Sequence, residues 1–121
     1  MSKYNSLDTV ETKDSTPTVI SSYSTITNSS NCLDITLVAR TDNFDTIVDR
    51  KIYVVKNINN VVSISDDVVN ICNKQGHISI SNVNIFLNIS GTAVEIKVVG
   101  LENTSIVWVC NLDVIINSVP V

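Results

Sequence analysis

From residue 32 onward, apolar residues recur at every second position through most of the chain. In residues 32–40, Leu33, Ile35, Leu37 and Ala39 fall on one side of an extended chain, and Asp34, Thr36, Val38 and Arg40 on the other. That period of two is the mark of a strand with one buried face. A loop at "TDNFDT" leads to a second strand over residues 47–56, and "NINN" turns it into "VVSIS" as a hairpin. "DDVVNIC" reads as a short strand, with Lys74, Gln75 and Gly76 as the next turn. In "HISISNVNIFLNIS" the apolar positions change phase, from Ile78 and Ile80 to Val83, Ile85, Leu87 and Ile89. A bulge or tight turn near Ser81 and Asn82 is therefore predicted. Gly91 opens a last hairpin with arms at 92–99 and 104–116, and Gly100, Leu101, Glu102 and Asn103 lie between them. No stretch has a helical period. Seven or eight short Val- and Ile-rich strands at this spacing predict an all-β protein, an antiparallel β-sandwich of jelly-roll or similar Greek-key form.

The two ends of the chain differ. Residues 1–30 hold many Ser and Thr, mixed charge, Pro17 and few large apolar residues, too little to build a core. They are expected to form a flexible N-terminal arm that serves for attachment, with the sandwich over residues 31–121. Tyr4 and Tyr23 would then be exposed in the arm, where they could act as anchors. The last strand carries apolar residues on both faces. Ile106, Trp108, Cys110, Leu112, Val114 and Ile116 share one side, while Val107, Val109 and Ile115 share the other with Ser105, Asn111 and Asp113. The first row belongs in the core, so the expected core includes Leu37, Ile96, Val98, Ile106, Trp108 and Leu112. The second needs a cover, and in so small a chain that cover is expected to be another copy. Val107, Val109, Ile115 and Arg40 are the candidate interface residues.

Composition narrows the function. The chain has 121 residues, 44% hydrophobic and 17% charged, enough for one compact core. No apolar run approaches the roughly 18 residues that span a bilayer, and "MSKYNSLDTVETKDSTPTV" has no apolar segment behind Lys3, so neither a membrane partner nor a secretory leader is expected. A net charge of -4 with scattered Lys and Arg argues against nucleic acid, whose binders present basic patches. Cys32, Cys72 and Cys110 are odd in number and widely spaced, which suits buried thiols better than a disulfide framework.

The residues also carry a resemblance. "LVAR" at 37–40, "RKIYVVKN" at 50–57, "VEIKVVG" at 94–100 and "TSIVWVCNLDVI" at 104–115 resemble, in order and spacing, a β-sandwich domain of tailed-bacteriophage virion proteins, often found at the C-terminal end of tail fibres. That pattern has a Val-Ala-Arg strand, a Tyr-containing second strand, a penultimate strand ending in Gly and a closing Thr-x-x-Trp strand. This chain departs from it in having Thr41 after the Ala-Arg pair and Asn-rich turns. The resemblance implies a virion structural protein of the tail, neck or capsid surface, assembled in the host cytoplasm and commonly a homotrimer. Residues 1–30 would contact other virion proteins. A carbohydrate-binding or receptor-binding module at a fibre tip, recognising a host-surface glycan, is the alternative, although aromatic residues make up only 5% of the chain.

No catalytic constellation stands out, and no enzyme activity or cofactor is expected. His77 has no Ser or Cys beside it in a nucleophile motif. Cys32, Cys72, His77 and Cys110 lack the paired two- to four-residue spacing of structural zinc sites. Asp42, Asp45 and Asp49 surround one loop and Asp66 with Asp67 marks another, but the spacing does not suit an EF-hand, and solvated turn residues are the simpler reading. Asn28, Asn88 and Asn103 begin Asn-x-Ser triplets that reflect composition. Arg40 could pair with Asp34 or Asp113 across a sheet or between subunits.

Overall fold

Alternation and turn chemistry together build two antiparallel sheets. The computed structural model describes residues 2–65, 68–76 and 84–119. Among these lie nine strands: β1 Ser2–Thr12, β2 Thr18–Ser24, β3 Ser29–Thr41, β4 Thr46–Ile58, β5 Val61–Ile64, β6 Val69–Gln75, β7 Asn84–Ser90, β8 Ala93–Val99 and β9 Ile106–Ser118. The large sheet runs β1-β9-β3-β4, with β5 and β6 sharing the far edge of β4; the small sheet runs β2-β8-β7. Lys51 on β4 donates to the Ile85 carbonyl on β7 at 3.3 Å, and Ser6 on β1 meets Ser21 on β2 at 3.2 Å. The small sheet thus lies over the large one from β1 to β4, and it covers one face only.

Turns fall where the backbone can adopt positive φ. Asn59 and Asn60, at φ 53° and 67°, make the tight β4–β5 hairpin, which requires left-handed conformations at both central positions. Gly91, at φ 63°, supplies the one positive φ of the two-residue turn between β7 and β8. The side chain of Asn57 is fully buried and accepts from the Asn60 amide at 2.9 Å, so the hairpin is pinned from inside.

The core is filled by the inward rows of β3, β8 and β9. Leu37, Ile96, Val98, Ile106, Trp108 and Leu112 are each no more than 1% exposed. The Trp108 indole donates to Thr12 Oγ1 at 2.9 Å, which meets the need of a buried N–H. Gly100 makes room for that contact, because a Cβ there would stand 2.4 Å from the same hydroxyl oxygen.

Three expectations are corrected. Residues 1–30 are not a flexible arm: β1 pairs with β9 over its whole length, from Ser2 opposite Ile116 to Thr12 opposite Ile106, and β2 pairs with β8. The segment needs no core of its own because it borrows that of the later strands. Tyr23 is accordingly 5% exposed and donates to Asn31 Oδ1 at 3.0 Å, with the Tyr4 ring 5.3 Å away. Nor do residues 92–116 form a hairpin. β8 is held by β2 and β7 and β9 by β1 and β3, so residues 100–105 arch between sheets. The phase change near Ser81 and Asn82 lies outside the described residues.

Candidate functional site: the uncovered face of the large sheet

Strand register lays out the outer face of the large sheet as rows running across it. In one row Val109 of β9 stands between Thr9 of β1 and Val38 of β3, and Val38 is followed by Val48 of β4. Three rows along the strands, a second apolar row holds Ile115, Cys32 and Val54. Val38, Val48 and Ile115 are 44%, 39% and 53% exposed, too open for positions that already have a place in a sheet. Leu7 and Ile71, exposed at opposite edges, extend the apolar surface.

Between the apolar rows lies a polar band. Arg50 grips Asp34 with two hydrogen bonds, Nε to Oδ1 at 3.0 Å and Nη2 to Oδ2 at 2.8 Å, and this pairing raises the Arg50 pKa. Asp113 sits directly opposite Asp34 on the neighbouring strand, where like charges oppose each other. It accepts hydrogen bonds from the Asn5 amide and from Asn111 Nδ2, the latter at 3.0 Å.

The four expected interface residues all lie on this face, Val107, Val109 and Ile115 on β9 and Arg40 on β3. Arg40 does not pair with Asp34 or Asp113. Its guanidinium lies 5.5 Å from the Phe44 ring centroid, and the residue that meets Asp34 is Arg50, which the sequence reading passed over. Arg50 stands opposite Thr36, diagonal to Asp34, within reach of long side chains, a placement that only the β3–β4 register gives.

Other candidates disperse. Cys32 points outward from β3 and Cys110 inward from β9, so the sheet separates them; Cys72 is exposed on β6 rather than buried. His77, Asp66 and Asp67 lie outside the described residues. Among the described residues no group of three or more His, Cys, Asp or Glu side chains could hold a metal. Asp42 and Asp45 belong to the β3–β4 loop, while Asp49 turns into the sandwich and is 7% exposed. Asn28 and Asn103 occupy turns at positive φ, and Asn88 donates to Glu95 at 3.0 Å. At one end of the sandwich an open cleft of about 510 Å³ is lined by Asn28, Ser30, Asn57, Ile58, Asn117 and neighbouring residues. Asn28 Oδ1 already accepts from the Asn59 amide and Asn57 Nδ2 donates to Thr25.

Burial sets the thiol chemistry. Cys110 is wholly buried, and its pKa is pushed from 9.0 up to about 12, first by desolvation and then by the Asp8 carboxylate. In the folded protein an alkylating agent should label Cys72 and leave Cys110 untouched until unfolding, as peptide mass mapping would show. Between pH 9 and 12 the unfolded chain releases this proton while the folded one keeps it. Stability is therefore expected to fall across that window and to be unaffected by Cys110 below it.

No protein-family model matches the sequence, and no curated protein matches it. Among solved structures the chain is similar to tailspike protein gp49 of Acinetobacter baumannii bacteriophage Fri1, a capsular polysaccharide depolymerase. The TM-score is 0.38 at 11% identity, over 92% of this chain and 17% of that one.

Proposed function

We propose that the chain is a non-enzymatic structural module of a bacteriophage virion that self-assembles through the outer face of its large sheet. The observation that carries the self-assembly is the uncovered pair of apolar rows, Val109-Val38-Val48 and Ile115-Cys32-Val54. A sheet face of this kind is stable in water when it is covered, and the small sheet already occupies the inner face of the large one. The placement in a virion rests on the ordered motifs from "LVAR" to "TSIVWVCNLDVI"; that resemblance on its own implies three copies, and the number is read here from the outer face instead. Attachment through residues 1–30 is withdrawn, since those residues are built into the sandwich. A glycan-binding role loses Trp108 as a stacking platform, because that residue is wholly buried.

In solution the protein should have the mass of an oligomer at micromolar concentration. Val109→Asp should leave the sandwich folded and dissociate it, because a carboxylate would be buried between copies. Sedimentation of the two proteins checks this, and a monomeric wild type would overturn the self-assembly. Antibody labelling of intact phage particles tests the virion placement separately.

A further inference from the structure

We propose that the outer face packs on the same face of a second copy about a twofold axis parallel to β3, so that Arg50 of each copy reaches Asp113 of the other. The proposal rests on the self-assembly read above and adds the partner surface, the symmetry and the charge contact. A twofold contact uses one patch for both partners, so that patch must complement itself.

The rows meet this condition. An axis along β3 lays β9 of one copy over β4 of the other and β1 over β6. Because rows stay in register, Val109 then faces Val48 of the second copy, and Ile115 faces Val54 of the second copy. The edges match as well. Leu7 and Ile71 are 68% and 54% exposed, stand at opposite edges of the row through Thr36, and face each other across the pair. A twofold perpendicular to the strands would set β1 on β1 and β6 on β6, so that Leu7 and Ile71 no longer face each other and Arg50 lies over β4 rather than over the strand of Asp113.

Charge gives an independent reason. Asp113 faces a like charge at Asp34 within its own sheet. Arg50 uses Nε and Nη2 on Asp34 and keeps Nη1 for a further carboxylate, as the guanidinium fork allows. With β4 laid over β9, that group comes to the row beside Asp113 of the second copy. Area is also sufficient. Five strand positions spaced about 4.8 Å apart and some ten residues at about 3.3 Å each give a face of roughly 700 Å², close to the ~800 Å² that each partner contributes to a stable interface.

A charge exchange between full-length variants tests the contact by sedimentation velocity. Asp113→Arg sets two arginines against each other in a pair of identical copies, and Arg50→Asp sets two aspartates, so each variant alone should pair at least tenfold more weakly than wild type. An equal mixture restores both contacts and should regain the pair. Thermal melts confirm folding; if Arg50→Asp lowers the melting temperature, Arg50→Gln with an unchanged melt must still weaken pairing. Variants that pair as wild type, a mixture that stays dissociated, or a trimeric wild type overturn the twofold contact. If Val109→Asp still dissociates the protein in those cases, the self-assembly reading survives; a monomeric wild type removes both.

Discussion

Trp108→Ala lowers the stability of the fold by about 3–5 kcal/mol, the usual cost of deleting a large buried aromatic. The side chain is 0% exposed in the row Ile106-Trp108-Cys110-Leu112, and no neighbour can collapse into the space without leaving its own strand register. The Thr12 hydroxyl, itself buried, also loses the indole donor that it accepts at 2.9 Å. Against a total stability of about 5–15 kcal/mol for an ordinary domain, this is a large fraction. At about 4 °C per kcal/mol for a chain of this size, the melting temperature should drop by roughly 12–20 °C. Differential scanning calorimetry would measure it, and a variant melting within about 2 °C of wild type would remove Trp108 from the core. A sugar-stacking tryptophan would show the opposite pattern, with intact stability and lost binding.

The inner strands β3 and β9 of the large sheet were legible because each has one buried and one open face. Leu33, Ile35, Leu37 and Ala39 are all no more than 1% exposed, as are Ile106, Trp108, Cys110 and Leu112, and alternation alone sorts them. β1 was not legible, because as an edge strand it is covered on one side only. Its inward positions are Tyr4, Ser6, Asp8, Val10 and Thr12, a row with one aliphatic residue, and its polar composition is that of a segment without a core. What holds it is backbone pairing to β9, to which hydrophobic periodicity is blind. The arch over residues 100–105 was misread for a related reason: a short polar linker serves a hairpin or a sheet-to-sheet crossing equally well, and the choice depends on partners far away in sequence. Candidate interface positions on β9 could be read from the strand itself, whereas the Arg50–Asp34 pair needed the β3–β4 register.

Deleting residues 2–12 is expected to cost more than Trp108→Ala and to abolish cooperative folding or send the protein into aggregates. The deletion removes the full β1 ladder, the Thr12 acceptor beneath Trp108 and the Tyr4 ring beside Tyr23. It also turns β9 from an inner strand into an edge. The freed strand, "IVWVCNLDVII", is long, rich in β-branched residues and carries one charge, which makes it a template for pairing with other chains. Were residues 1–30 a solvated arm, the same deletion would leave stability within about 0.5 kcal/mol of wild type. Limited proteolysis separates the two without a variant. Lys13 follows β1 in an exposed loop, so trypsin should nick there first, and the released strand should stay bound to the sandwich under native conditions and separate only in denaturant. A truncated chain that melts with wild-type cooperativity, or an N-terminal peptide that leaves the nicked protein freely, would detach β1 from the fold.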